Sequence, residues 1–359
     1  MRSRSTPACK PARLRRQRGL SLVEMMIGLT LGLIVVAALT VLFVSNSRAR
    51  QESEKTTQQI ENGRYASQLL LDELHLAGYY GEFNPQSLAD PSGVPDPSAT
   101  DVPSLSAAVA LPIQGYDGGA GLPAGLQALL TDLRNGTDVL VIRRTSTCVA
   151  GASGCDAANM ASSSYFQTTL CTTQLGILTP RNQFLIGNST ALFTNSNPAI
   201  TGGANPPPFL AAKDCLTPAA LRTYYVRIYF VANNNNAGDG IPTLKMAELG
   251  AGVFNIVPLV EGIEQMQLEY GLDADGNGTP DSYTTSPVNV SEWRKVTAAK
   301  VHLLARNTQS TAGYTDARSY VLGLQVNGNP NTYGPFNDAY KRHVYTTMAR
   351  LNNVAGRLE

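Results

Sequence analysis

The chain has 359 residues, 43% of them hydrophobic, which is enough for one or two domains with a sizeable core. Its formal net charge of +1 hides an asymmetry: residues 1–19 hold Arg2, Arg4, Lys10, Arg13, Arg15, Arg16 and Arg18 and no acid, and the remaining 21 basic side chains face 27 acidic ones, about −6. A mildly acidic body does not indicate nucleic-acid binding by bulk charge, and the basic cluster is better explained as a topogenic signal.

Residues 20–44 are apolar except for Ser21, Glu24, Thr30 and Thr40. As a helix rising ~1.5 Å per residue this stretch is roughly 37 Å long, sufficient to cross a ~30 Å hydrocarbon core with tilt. It is longer than the ~7–15 apolar residues of an ordinary secretory signal. The Arg-rich flank holds residues 1–19 in the cytoplasm and sends the C-terminal body across the membrane. Glu24 is the exception within the span. An ionisable group there costs several kcal/mol unless paired, which makes it a functional candidate. Gly28 and Gly32 form a small-xxx-small pair that lets helix backbones approach closely.

The run Gly19-Leu20-Ser21-Leu22-Val23-Glu24, placed between a basic stretch and a long apolar one, resembles the type IV prepilin motif. The resemblance implies cleavage after Gly19 by a prepilin peptidase, methylation of the new N-terminus at Leu20, and Glu24 as the fifth residue of the mature chain. Its carboxylate would pair with the Leu20 amine of an adjacent subunit and neutralise both charges in a filament core. Leu20 departs from the commoner Phe or Met. The alternative is an uncleaved signal anchor with Glu24 at the membrane interface.

The helix is expected to continue past the membrane. Residues 45–77 contain no proline, are rich in Gln, Glu, Arg, Ala and Leu, and have Gly63 as the sole breaker. Ile60, Ser67, Leu70, Leu71, Leu74 and Ala77 share a face at helical spacing, and Gly78 to Gly81 read as the stop. The expected division is a leader at 1–19, a transmembrane half at 20–44, an amphipathic half at 45–80 and a head at 81–359. Residues 84–125, rich in Pro, Ser, Gly, Ala and Asp, read as an irregular excursion with little fixed structure. Residues 138–145, 183–186, 223–232, 253–259, 266–271, 296–306 and 343–351 read as strands between turn-rich linkers. The fold class is α+β: a long N-terminal transmembrane and amphipathic helix followed by a β-rich head with an antiparallel sheet.

Without Cys9 of the basic leader, Cys148, Cys155, Cys171 and Cys215 remain, an even number suited to two disulfides in an oxidising compartment. Of the three pairings, sequence proximity favours Cys148–Cys155 and Cys171–Cys215, with free thiols as the alternative. No CxxC pair supports zinc. The segment 273–281 places Asp273, Asp275, Asn277, Thr279 (by its carbonyl) and Asp281 at positions 1, 3, 5, 7 and 9 of a calcium loop, with Gly278 at the sharp turn. Position 12 is Thr284 instead of a bidentate Glu, and a plain Asp/Asn/Gly turn is the competing reading. Ca2+ is the only cofactor indicated.

His75, His302 and His343 lack HxxH or HExxH spacing, and no GxSxG, P-loop or Rossmann glycine pattern occurs, so no catalytic residue is assigned. Trp293 is expected to anchor a sheet.

Three further segments resemble the PilW-type minor pilins of the type IV pilus system: ENGRYA at 61–66 with AGYYG at 77–81, the tryptophan-led strand at 293–306, and RHVYTT at 342–347 with Arg350, Leu351 and Asn352. The Asp-rich loop before Trp293 also belongs to this resemblance, whereas residues 84–220 carry none. The resemblance implies a subunit of low abundance that joins other minor pilins and the major pilin, primes assembly on an inner-membrane platform and sits in the pilus, near its tip. The head would be periplasmic before assembly and extracellular afterwards. The rival readings are a J-type pseudopilin of a type II secretion system and a membrane-anchored periplasmic enzyme.

Overall fold

The computed structural model describes residue 19 and residues 21–155, 163–187 and 209–358. It divides into two compact units, Met1–Glu54 and Lys55–Glu359. The helix α1 (Leu22–Leu76) contributes its first part to one unit and its second part to the other. An eighteen-residue window of its apolar part has a mean hydropathy of 2.7, with none of that window buried.

In the head, α1 is followed by α2 (Val102–Ala108), β1 (Ile113–Tyr116), α3 (Ala124–Leu129), β2 (Val139–Thr145), β3 (Ser164–Thr168), α4 (Thr172–Ile177), β4 (Phe184–Gly187) and β5 (Leu221–Ala232). Then come β6 (Thr243–Leu249), β7 (Phe254–Glu261), β8 (Ile263–Leu272), β9 (Ser282–Thr284), α5 (Val290–Arg294), β10 (Val296–Arg306), β11 (Tyr320–Leu324), β12 (Pro330–Tyr333), β13 (Arg342–Arg350) and α6 (Asn352–Ala355). Among the described residues a seven-stranded sheet runs β1-β2-β5-β3-β4, with β6 also on β5 and β7 on β6. A second sheet runs β13-β10-β8-β9, and β11 pairs with β12. All pairings are antiparallel.

Every expected strand is present; β-branched and aromatic residues are densest in 223–232. The expectation for residues 84–125 is corrected. They hold α2, β1 and the start of α3, and their apolar residues Leu88, Leu105, Val109 and Leu122, with Leu126 just beyond, bury in one cluster with Val139, Val141, Tyr224 and Val226 on one face of the first sheet. Arg143 of β2, itself fully buried, donates to Leu111 O at 2.9 Å and Gln114 Oε1 at 3.0 Å and so pins this excursion. A composition rich in Pro, Gly and Ser marks the absence of long elements, not the absence of a core.

The other face of the first sheet, with Leu140, Ile142, Tyr229 and Val231, meets the second sheet and the head portion of α1 in one core. Helical spacing selects the buried stripe: Gln59, Gly63, Ala66, Leu70, Glu73, Leu74 and Ala77. The expected face is therefore corrected at Ile60, which is exposed, while polar Gln59 and Glu73 turn inward. Gln59 Nε2 donates to Ala305 O (2.8 Å) and Lys341 O (3.0 Å), and Asn62 Nδ2 donates to Glu261 O. Gly63 is no breaker. A Cβ there would stand 2.2 Å from a ring carbon of Tyr345, so its missing side chain is what lets β13 lie against the helix. At the C-terminal end, Asn353 Nδ2 donates to the carbonyls of His75 and Ala77, and Gly78 turns the chain at φ 74°.

Asp138 staples the two sheets. Its N–H donates to Met266 O (2.9 Å), and its carboxylate accepts from Leu268 N–H and Gly118 N–H (both 2.7 Å). Burial pushes this carboxyl up to about 8; the Gly118 and Leu268 N–H groups pull it down, and neighbouring Asp117 adds to the rise. A carboxyl raised on folding favours the native state while protonated. Its contribution is full below the unfolded value near pH 4 and is lost as pH rises through about 8.

Two outcomes follow. Gly63→Ala should cost ~1–3 kcal/mol by overpacking, read from urea denaturation of the full chain in detergent, and less in a Tyr345→Ala background; equal stability would show that the contact is not tight. The stability advantage of the wild type over Asp138→Asn should shrink steadily from pH 5 to pH 9. A pH-independent difference would mean that Asp138 stays ionised throughout.

Candidate functional site

The first group of site residues lies at the start of α1. Gly19 is exposed and outside the helix, and Leu20 lies outside the described residues. Ser21 and Glu24 form a reciprocal cap: Val23 N–H donates to Ser21 Oγ (3.3 Å) and Ser21 N–H donates to Glu24 Oε2 (3.0 Å). The Ser-x-x-Glu spacing is a sequence signal for this box, although Glu24 is equally conspicuous as a charge in an apolar run. Thr30 Oγ1 donates to Met26 O and Ile27 O, and Thr40 Oγ1 to Val36 O. Both hydroxyls are thus satisfied within their own helix, as a hydrocarbon environment requires. That leaves Glu24 as the one ionisable side chain in residues 21–44. Gly28 and Gly32 lie one turn apart on α1, and a Cβ on either would meet nothing within 4 Å.

The second group is the loop between β8 and β9. Single oxygens of Asp273, Asp275 and Asp281 lie within 4.8 Å of one another, so three carboxylates could hold a metal ion. The chain is shaped for this by Gly276 and Gly278, at φ 79° and 82°. Asp273 is buried and accepts N–H bonds from Gly276 (2.7 Å), Asn277 (3.2 Å) and Gly278 (2.8 Å). Burial opposes its charge, yet the Gly278 and Gly276 N–H groups hold its carboxyl below the usual range. Asp281 Oδ2 accepts from Ala274 N–H at 2.7 Å. Asn277 Oδ1 accepts from Thr279 N–H at 2.8 Å and from the Thr279 hydroxyl, and its Nδ2 donates to Asp275 Oδ2 at 2.9 Å. Arg350 Nη2, at the end of β13, donates to Gly278 O at 3.4 Å.

The remaining candidates are structural in placement. Cys148 is bonded to Cys155 and Cys171 to Cys215, the two pairings favoured by proximity. Trp293 is buried and meets Tyr270 edge-on, with ring centroids 4.7 Å apart. His302 Nδ1 lies 3.0 Å from Thr346 Oγ1, and its Nε2 lies 3.4 Å from Glu269 Oε1; burial lowers its pKa more than Glu269 raises it. His343 packs edge-on against Tyr345.

Two buried charge clusters escaped the sequence reading. Glu73 accepts from Arg144 (2.7 and 3.1 Å) and Arg227 (2.6 Å), and Arg227 also pairs with Glu248 at 2.5 Å. Both guanidinium groups stack on Tyr225, 4.8 and 4.3 Å from its ring centre. Burial resists the charge on Glu73, but Arg144 and Arg227 hold its carboxyl below the usual range. Arg342, whose side chain is wholly buried, binds Glu264 (2.5 Å), Asp316 (3.0 Å) and Asp338 (2.7 Å). Apart from Asp338, four residues before Arg342, the partners in each cluster are 21 or more positions apart and leave no local signal.

Residues 228–353 match the family described as Type IV Pilus-assembly protein W, and residues 14–40 match the Prokaryotic N-terminal methylation motif. Among solved structures, a type IV-like pilin from Thermus thermophilus is 10% identical, covers 82% of this chain and 97% of its own, and gives a TM-score of 0.33. No curated protein matches the sequence.

Proposed function

We propose that this chain, a type IV pilin-like protein of the PilW type, is a minor pilin that primes pilus assembly and enters the filament near its tip. The observation that carries the reading is Glu24, the lone ionisable side chain in an apolar helix whose threonine hydroxyls are already satisfied. The Ser21 backbone N–H donates one hydrogen bond to its carboxylate but supplies no countercharge. The α-amine of Leu20 in a neighbouring subunit, exposed by peptidase cleavage after Gly19, would do so. Helix packing through Gly28 and Gly32 would bring the two charges together. The apolar helix and prepilin motif support membrane anchoring, and the two disulfides support a head that folds in an oxidising compartment. Energy for assembly would come from another protein of the system.

The mature chain should begin at N-methylated Leu20 by intact mass; retention of residues 1–19 would point to an uncleaved anchor. Glu24→Ala should be processed normally and yet drop out of the sheared filament fraction. Unchanged incorporation would refute the pairing role. Deletion should abolish twitching and spare protein secretion, and the reverse pattern would favour the pseudopilin reading.

The Asp273–Asp275–Asp281 loop is read here as a weak calcium site, since hard oxygen ligands on a tightly turned chain suit that ion and Thr284 leaves the bidentate position unfilled. Calcium should raise the unfolding temperature of the full chain in detergent, EDTA should reverse the rise, and Asp275→Ala should abolish it. No chelator-sensitive shift in the wild type would exclude a structural ion.

A further inference from the structure

A cavity of about 740 Å³ opens in the head where α1, the loop before β11 and the start of β13 meet. Its charged walls are of one sign: Arg318, Lys341 and Arg342 line it, with His343 beside them, and no Asp or Glu does. Other cavities of the head carry carboxylates in their walls: Asp90 in one of about 370 Å³, Glu269 in one of about 100 Å³, and Asp72 with Glu73 in one of about 320 Å³. Outside residues 1–19 the chain is acidic by about −6, so a wall without carboxylates runs against its bulk charge.

The positive character comes from the cluster behind this wall. Glu264, Asp316 and Asp338 are shared among four guanidinium groups, those of Arg134, Arg306, Arg318 and Arg342. Arg342 takes the short contacts, and its side chain is wholly buried. Arg318 is left at the rim. Its side chain is 59% exposed and 3.4 Å from Asp316, which already binds Arg342 and the Tyr320 hydroxyl. Arg318 Nη2 donates to the Tyr314 hydroxyl at 3.0 Å, which holds the guanidinium beside that ring. Lys341 Nζ lies 5.9 Å from the centre of the same ring. Two cations thus meet at Tyr314, and Tyr345 supplies a second aromatic side chain to the lining.

We infer that this cavity binds an acidic sugar, a saccharide ring bearing a single carboxylate. Its volume lies within the ~300–1,000 Å³ of pockets for small organic ligands, and a lone inorganic ion would leave most of it to water. Arg318 presents the planar fork that matches a carboxylate. The tyrosines combine an apolar ring with a polar tip, which suits a ligand with C–H faces and hydroxylated edges. Threonine and glutamine side chains add hydrogen-bonding groups to the lining. Four guanidinium groups for three carboxylates leave one in excess, the match for a monoanion. A nucleotide polyphosphate would ask for more, and no P-loop pattern occurs in the chain. The site is independent of Glu24 and of the pilin reading.

The test is titration calorimetry of the full chain in detergent, with glucuronate, galacturonate and N-acetylneuraminate as probes. At least one should bind with a Kd of about 1 mM or tighter, and glucose, which lacks the charge, should bind ~10-fold or more weakly. Arg318→Gln should keep the wild-type unfolding temperature and weaken the acidic sugar ~10-fold, and Lys341→Gln should weaken it in the same direction. Lys213→Gln, at a side chain 73% exposed and outside the lining, should bind as wild type. Added salt should lower the affinity. Binding of none of the three sugars, or equal binding of glucose, overturns the site. So does equal affinity for acetate or inorganic phosphate, which would mean an adventitious ion only. Tighter binding of triglutamate would assign the cavity to an acidic peptide instead, and equal weakening by Lys213→Gln would reduce the effect to bulk charge; either overturns the sugar site.

Discussion

The head is organised around a buried carboxylate. Glu73 comes from α1, Arg144 from β2 and Arg227 from β5, and Arg227 passes the contact to Glu248 on β6. Removing one partner of such a set leaves an uncompensated buried charge, typically ~3–5 kcal/mol, whereas the complete set is close to neutral against an apolar core. Its consequence is therefore register more than stability. Rotating α1 by one residue, ~100°, would expose Glu73, take Gly63 away from Tyr345 and carry Gln59 off the carbonyls of Ala305 and Lys341. An apolar stripe of Ala66, Leu70, Leu74 and Ala77 would tolerate some sliding; the polar groups at its flanks do not.

With the helix fixed, both sheets can share one core. Leu140 and Ile142 from the first sheet and Leu268, Val301 and Leu303 from the second all meet the same helix face. Other seams are closed by polar devices of the same kind. Asp138, just before β2, is tied to β8 by two hydrogen bonds, at Met266 and Leu268, and to the turn after β1 by a third, at Gly118, and Arg342 gathers Glu264, Asp316 and Asp338 where the loop before β11 returns to β13. Each device sits where a change of sheet or a long connection removes the hydrophobic contacts that would otherwise set the geometry. A wrongly seated seam leaves buried charge without compensation.

Local signals were legible wherever one element carried them alone. Residues 20–44 announce their apolar helix, and segments such as 223–232 and 296–306 announce strands through β-branched and aromatic residues. The proximity of Cys148 to Cys155 foretold their bond, and the Asp/Gly rhythm foretold a tight acidic loop. What stayed hidden is non-local. Gln59 and Glu73 look like solvent-facing residues of an amphipathic helix until Ala305, Arg144 and Arg227 arrive from residues 71 or more positions away. Leu105 and Leu126 look stranded in a Pro- and Gly-rich excursion until the open face of the first sheet is known. Short strands such as β1 and β11 gain their pairing from neighbours rather than from their own composition.

The same bookkeeping of satisfied groups separates what the lone chain completes from what it leaves to assembly. Inside the apolar helix the threonine hydroxyls close on carbonyls of their own helix, and the one carboxylate, on Glu24, accepts the Ser21 N–H. Inside the head the long charged chains are gathered into clusters, and three of the outer strands are short while a fourth is charged. Against that background Glu24 stands apart as the one ionisable side chain in residues 21–44. On the proposed pilin reading it would meet a cation in a low-dielectric setting, where pairing is strong and insensitive to salt. Such a subunit would, on that reading, be held through its helix by a charge pair, while the head keeps the charges of its Glu73 and Arg342 clusters compensated from within.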